Sequence, residues 1–488
     1  MEKRSSIRTG TSWLLTGNIG RRVLEFLFGV ALARILVPAD FGILVTVQIF
    51  TGAAGFLAGG GMGQSLIQAK QVERRHFHVV FTLQLAICVL IYSVFFIISP
   101  RFAEWFDNPV YTDLLRVSAL TFLIRPFMNV SSARLKRDMR FKGLSIISVL
   151  SLLVTGVTSI VLALLGHGVW SLVLGGIAGS LFSAACVIYL SGITPGFAFD
   201  RAIARTLGKY GFQMSLNEII HYIRLQAPNF LIGKTLGPTA LGLFNKGDSL
   251  SQIPITMIGG SAYQAVFRAL SSVQGNLDQS RYLYLKTVSL VSVYTMPFYV
   301  LLMWVAEPFI VTIYGEKWAL AAIPLQILSV AGILRCVSNP SGAVMAAQKK
   351  LGTEIRIQLT TLLLVVLGCV PGILAESLTL IALGLLPAAL FFSTALAFYA
   401  LRTLDARFFD LFRALQPALI LNLILAALLL ALHLLLSATT IGASPPLFLT
   451  VFSGTGLAVY SLLFLFLPIH QLESESQRWK RLLRLSAA

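Results

Sequence analysis

Fourteen apolar stretches, each long enough to cross a bilayer, run through this chain, and the short loops between them alternate in positive charge. A spanning helix needs roughly 20 mostly apolar residues. The stretches fall at 11–36, 41–68, 76–99, 110–133, 143–165, 169–191, 206–233, 239–267, 282–306, 318–345, 351–374, 377–401, 411–436 and 446–468. The expectation is an all-α integral membrane protein of about fourteen transmembrane helices.

The charges give the orientation. Basic residues gather at Lys3, Arg4 and Arg8, at Lys70, Arg74 and Arg75, and from Arg134 to Lys142. They gather again at Arg201 to Lys209, Arg268 to Lys286, Lys349 to Arg356, Arg402 to Arg413 and Arg478 to Arg484. The intervening loops hold only Arg34, Arg101, Lys234 and Lys317, with acids such as Asp40, Asp107, Glu307 and Glu376. Basic loops stay in the cytoplasm, so both termini are expected there, and the number of spans must be even. The six tryptophans, Trp13, Trp105, Trp170, Trp304, Trp318 and Trp479, fall at span edges or in adjoining segments, as an interfacial aromatic belt requires.

With 56% hydrophobic and 12% charged residues, the net charge of +18 is mainly this topological signal. It does not describe a soluble enzyme or a nucleic-acid binder. Cys88, Cys186, Cys336 and Cys369 lie inside spans without metal-ligand spacing and read as core thiols. The first stretch is of span length and carries Arg21 and Arg22, unlike a cleaved signal, so the mature chain is expected to begin near Met1.

The chain repeats itself. At an offset of 200, Arg34, Leu36, Pro38 and Gly42 meet Lys234, Leu236, Pro238 and Gly242, and Gly59 and Gly60 meet Gly259 and Gly260. At an offset of 210, Leu115, Arg125, Asn129 and Ala133 meet Leu325, Arg335, Asn339 and Ala343. Spans 1–6 thus read as duplicated in spans 7–12. Six spans per copy give both copies the same orientation, as in parallel-repeat transporters, with the site expected between the halves. The divisions are 1–200 and 201–405 for two six-helix bundles, 406–470 for helices 13 and 14, and 471–488 for a basic amphipathic tail.

After the bases assigned to the loops and their edges are counted, seven remain within spans: Arg21, Arg22, Arg116, Arg125, Arg224, Lys246 and Arg335. Four acids, Glu25, Asp113, Glu218 and Asp248, accompany them, together with His221. A base at mid-bilayer costs about 2.5–3.5 kcal/mol on insertion scales, so these residues should face water or partners. Asn18, Arg21 or Arg22, and Glu25 share a helical face in span 1, as do Asn217, His221 and Arg224 in span 7. Span 8 adds Asn245, Lys246, Asp248 and Gln252, with Gln48 of span 2 at the position matching Asp248. The excess of bases points to a cationic cavity. The plainer alternative is ion pairing, of Arg21 or Arg22 with Glu25 and of Lys246 with Asp248 or a neighbouring acid.

Pro126, Pro228, Pro254, Pro297, Pro324, Pro340, Pro371 and Pro387 lie within spans, where neighbouring helices can satisfy freed carbonyls. The run Gly59, Gly60, Gly61 and Gly63 lacks the Lys-Ser/Thr of a phosphate loop and reads as a site of close helix packing or bending. His167, between Gly166 and Gly168, reads as a turn residue. The tail from Gln471 to Leu485 reads as a short amphipathic helix on the anionic cytoplasmic surface.

Several segments resemble one family. They are Leu36, Pro38, Asp40, Phe41 and Gly42; Gly61, Gly63, Ser65, Leu66, Ile67 and Gln68; Arg137 to Phe141; and Gly166, Gly168, Val169, Trp170 and Leu172. Together they resemble the polysaccharide-transporter branch of the multidrug, oligosaccharidyl-lipid and polysaccharide exporter superfamily, whose members include Wzx-type O-antigen flippases and colanic-acid-type exporters. The likeness covers the first twelve spans. The second copy departs from it, with Ala240 and Leu241 in place of Asp40 and Phe41.

The resemblance implies two six-helix bundles of MATE-like fold with two further C-terminal helices, rocking between inward-open and outward-open states in a bacterial inner membrane. It implies a flippase for an undecaprenyl-diphosphate-linked oligosaccharide, serving O-antigen, capsule or exopolysaccharide synthesis, with no bond made or broken. It also implies a cationic cavity lined by spans 1, 2, 7 and 8. Arg21, Arg22, Arg224 and Lys246 are the candidate substrate ligands, because an arginine fork bonds phosphate oxygens bidentately. Glu25, Glu218, His221 and Asp248 are the candidates for sodium or proton coupling, and no other cofactor is expected. The expected partners are the lipid-linked oligosaccharide, membrane lipids and polysaccharide polymerase or export machinery. A drug exporter or peptidoglycan-precursor flippase of the same superfamily, and a membrane glycan polymerase or ligase, remain as alternatives. The short, His-poor outer loops argue against the last.

Overall fold

The computed structural model describes residues 20–59, 62–68, 72–192, 196–273, 275–348, 350–437, 439, 442, 444–483 and 485. Lys3, Arg4, Arg8, Trp13, Asn18, Gly60, Gly61, Lys70, Lys349 and Arg484 lie outside the described residues, as do the side chains of Arg205, Lys209 and Asn217.

The described chain is helical, with no strand. Helix α1 covers residues 20–35, followed by α2 Pro38–Gly59, α3 Met62–Gln68, α4 Arg74–Trp105, α5 Val110–Arg137, α6 Phe141–Leu164 and α7 Val169–Ser191. Then come α8 Arg201–Thr235, α9 Gly237–Ser251, α10 Ile253–Ser272, α11 Leu277–Tyr314, α12 Ala322–Ala347, α13 Leu351–Leu374 and α14 Leu378–Thr403. Helices α15 Phe408–Ser437, α16 Pro445–Phe466 and α17 Glu473–Leu482 complete the series. His167 lies in a turn between Gly166 and Gly168, both at positive φ.

Among the described residues, ten helical segments are long and apolar enough to cross a membrane, which makes this a multi-pass membrane protein. The expected spans outside that ten are α1, α5, α8 and the pair α9–α10. These helices carry all of the in-span candidates singled out above except Arg335. The segments least like lipid-facing helices are therefore those that hold the candidate site.

The eighth expected span is divided into α9 and α10 at Gln252. In the second, α2 and α3 flank residues outside the described ones. Pro254, in the first turn of α10, has no N–H to continue the ladder and its ring would clash with the carbonyl four residues back. A β-carbon added at Gly59 or Gly63 would meet nothing within 4 Å, so close packing does not account for these two glycines.

The contacts divide the chain into two compact units, Met1–Gly242 and Leu243–Ala488. In the first, α4 packs on α5 and α6 on α7, around a core that includes Val47, Phe102, Tyr111 and Leu114. Helix α8, assigned by the repeat to the second copy, packs on α2 in this unit. The Tyr222 hydroxyl donates to the Gln48 carbonyl at 2.8 Å, and Phe230 meets Phe50 and Trp105 edge-on or tilted, at 6.0 and 5.7 Å. At its end, Lys234 donates to the Trp105 carbonyl and lies 3.6 Å from Asp107.

The repeat is visible in this unit as a reciprocal contact. A β-carbon at Gly42 would overlap the Pro238 carbonyl, and one at Gly242 would overlap the Pro38 carbonyl. Positions 200 residues apart thus pack backbone against backbone, and each Gly–Pro pair supplies the flat surface the other needs.

In the second unit α11 is the central helix, packed on α12, α15 and α16. Val293, Tyr299, Leu301, Leu421, Leu425 and Phe452 form a shared core, and the Tyr460 hydroxyl donates to the Val293 carbonyl at 2.6 Å. The tail forms a short 3-10 turn, His470–Leu472, and then α17, somewhat shorter than the expected Gln471 to Leu485.

Candidate functional site

Three of the seven in-span bases are taken up by helix packing. Arg116 lies 4.4 Å from the Phe96 ring and 3.9 Å from Asp113. Arg125, on α5, donates to the Gly55 carbonyl of α2 at 2.9 Å, with its guanidinium 5.3 Å from the Phe122 ring. Its repeat counterpart Arg335, on α12, lies 3.8 Å from Asp248 of α9 and donates to the Ser251 hydroxyl at 3.4 Å. In each copy, then, the arginine of the fourth span fastens the second span. The 210-residue offset carried this signal, but sequence alone did not name the acceptors.

Arg21, Arg22 and Glu25 lie on α1 in the first unit and are exposed. Arg21 Nε donates to Glu25 Oε1 at 2.7 Å, the anticipated one-turn pair. Arg22, the next residue, makes no ion pair among the described residues.

On α8, Glu218 is exposed, and the partly buried His221 and Arg224 touch at 3.4 Å, Nδ1 to Nη2. A guanidinium only donates, so in this contact His221 Nδ1 can act only as the acceptor. The next residue, Tyr222, is the one bonded to α2. Neither Tyr222 nor its Gln48 acceptor was legible as a pair, because helical periodicity gives a face and not the identity of the facing helix.

Lys246 and Asp248 lie on α9 in the second unit. They do not pair with each other. Lys246 Nζ lies 4.7 Å from the Tyr314 ring and 4.9 Å from the Trp318 ring, a cation–π arrangement with two buried aromatic side chains. Asp248 takes Arg335 as its ionic partner and accepts from Gln252 at 3.4 Å. The alternative of a Lys246–Asp248 pair does not form, because the two residues, two positions apart on one helix, point to different faces.

The sequence-predicted residues thus group as Arg21 with Glu25, His221 with Arg224, Lys246 with Tyr314 and Trp318, and Asp248 with Arg335. The signature residues that carry the family resemblance do different work. Asp40 accepts from the Val37 N–H at 3.2 Å, ahead of α2, and sits against Gly168, where an added β-carbon would come 3.1 Å from its carboxylate. Arg137 donates to the Leu66 carbonyl of α3 at 3.0 Å. These positions pack the fold.

The chain is 24% identical to the lipopolysaccharide biosynthesis protein WzxC of Escherichia coli (strain K12), over 73% of each chain. It is also 24% identical to the succinoglycan biosynthesis transport protein ExoT of Rhizobium meliloti (strain 1021), over 67% of each. Its fold is that of the solved lipid II flippase MurJ, with a TM-score of 0.75 at 14% identity, covering 96% of this chain and 99% of that one. Residues 31–323 match the family model for polysaccharide biosynthesis proteins, and the chain belongs to that family.

Proposed function

We propose that the protein is a flippase that moves an undecaprenyl-diphosphate-linked oligosaccharide from the cytoplasmic to the periplasmic leaflet of the inner membrane, by alternating access, during surface polysaccharide synthesis. The observation that carries this reading is the sorting of the in-span bases. Arg116, Arg125 and Arg335 fasten helices outside the expected cavity or across it, and Arg21, Arg22, Arg224 and Lys246, which include the exposed Arg21 and Arg22, lie on the helices that the resemblance assigns to a cationic cavity. Family membership, and the transport and lipopolysaccharide roles in the relatives' names, support the same substrate class.

In this reading both termini and the basic loops are cytoplasmic, and residues 1–200 and 201–405 are the two copies. Arg21, Arg22 and Arg224 hold the diphosphate by charge-assisted hydrogen bonds, and Lys246 attracts it from α9. A sugar hydroxyl stripped of water without a partner costs about 2–7 kcal/mol. A wet polar cleft avoids that while the polyprenyl chain stays in lipid, and no bond is made or broken. Outward movement of two negative charges gains roughly 2.3 kcal/mol per charge per 100 mV of inside-negative potential, so the potential can drive the cycle. Of the coupling candidates, Glu25 and Asp248 pair with arginines, and Glu218 is exposed, three residues before His221 on α8. Polymerase or export machinery would take up the product.

The test is the sidedness of lipid-linked glycan in cells depleted of the protein, labelled by a periplasmic sugar probe with total glycan-lipid measured in parallel. Accumulated but unlabelled repeat units support flipping; labelled single units that never lengthen overturn it in favour of polymerisation. Arg224→Ala is expected to lower export about 10–100-fold, the equivalent of the 1.5–3 kcal/mol of a charged hydrogen bond, at unchanged protein level. Arg224→Lys should retain part of it. Unchanged export in Arg224→Ala would remove this residue from the site.

A further inference from the structure

The C-terminal helix is joined to the membrane domain by one face and leaves basic and apolar groups on another. Trp479 Nε1 donates to the Tyr294 hydroxyl of α11 at 2.8 Å, and Glu475 lies 4.0 Å from Lys286 of the same helix. Lys480 Nζ is 5.1 Å from the ring of Phe466, the last residue of α16. Leu472 and Ser476 are buried. The acids of α17 stand in its first turn, and Lys480 and Arg481 in its last, the order that the helix dipole favours.

The remaining surface is of a different kind. The Arg478 side chain is 71% exposed, and Arg481 is exposed with it. Leu482, Leu483 and Leu485 are exposed at the same end. Only six residues separate the end of α16 from the start of α17, so the helix is held close to the membrane boundary. Bases and leucines together at that depth match an interfacial helix, with apolar side chains entering the acyl boundary and cations meeting headgroup phosphates.

We infer that α17 is a binding surface for anionic phospholipid, in which Arg478 and Arg481 take headgroup phosphates and the contacts to Tyr294, Lys286 and Phe466 pass the stabilisation to α11 and α16. The inference rests on the proposed orientation only for assigning the lipid to the cytoplasmic leaflet. Binding itself is independent of flipping.

The experiment uses the full chain purified in a neutral detergent. Its thermal midpoint is measured with added phosphatidylglycerol, with phosphatidylcholine and with soluble glycerol phosphate. Phosphatidylglycerol should raise the midpoint by about 3 °C or more, and the other two by little, as expected for two basic residues at an anionic surface. In R478Q/R481Q most of that shift should disappear while the midpoint without lipid stays near that of the parent, because both side chains are exposed. Lipid retention measured by native mass spectrometry on the same pair gives a second readout, with fewer phosphatidylglycerol molecules expected on the variant. An equal shift with phosphatidylcholine, an equal shift with glycerol phosphate, or an undiminished shift and retention in the variant would each overturn the proposal. Transport is not part of the measurement, so failure here leaves the flippase reading standing, and failure of that reading leaves this one.

Discussion

Arg335→Leu is expected to destabilise the protein by about 3 kcal/mol, the low end of the range for breaking a buried ion pair. Asp248 would keep its charge between helices and lose the guanidinium 3.8 Å away. The low end applies because each side chain is a quarter exposed, so some water already reaches the pair. Adding Asp248→Asn to Arg335→Leu should recover more than half of the loss, since the orphaned charge is then gone. Arg125→Leu should have a smaller effect, about 1–2 kcal/mol, because its acceptor is a neutral carbonyl. Unfolding titrations with SDS in mixed micelles would measure all four proteins. A loss below about 1 kcal/mol for Arg335→Leu, or no recovery in the double variant, would contradict the ion-pair account.

Gly42→Ala and Gly242→Ala are each expected to destabilise by about 3 kcal/mol or more, at or above the upper end of typical overpacking penalties. Each new methyl would enter the space of a proline carbonyl, and backbone cannot rotate away as a long side chain can. The double variant should lose less than the sum. The two obstructions lie at one crossing, and a single separation of the strands of backbone relieves both. Gly29→Ala in α1 is the control: a β-carbon there meets nothing within 4 Å, and alanine should be neutral or stabilising by up to about 1 kcal/mol. Strict additivity in the double variant would mean that the two glycines do not share one contact.

The same two features mark how far the sequence could be read. Helix type and membrane placement were legible because hydropathy over some twenty residues is a bulk property of each segment. The Gly42–Gly242 repeat also foreshadowed a matched pair of positions, though not that they would touch. What could not be read was partner choice across helices. Lys246 is followed two residues later by an acid, yet it sits against Tyr314 and Trp318, some seventy positions away. Arg335 stood out as an in-span charge, and only the packing of α12 beside α9 makes Asp248 its partner. Depth and face follow from spacing along one helix, whereas the identity of a neighbour follows from how several helices pack at once. The division of span 8 was half-visible in Pro254, whose backbone effect is local.

The packing of α8 and the start of α9 into the first unit has a consequence for biogenesis. The first copy, as the repeat defines it, has been synthesised once residue 200 has been added, but the unit to which it belongs extends to Gly242. At 5–20 residues per second the missing segment takes roughly 2–8 s to appear. During that interval the surface of α2 that later receives Tyr222, and the backbone of Gly42 that later meets Pro238, must wait in the bilayer without their occupants. A nascent chain arrested near residue 200 should therefore be the form most open to membrane quality-control proteases, and one arrested well beyond residue 242 should be much less so.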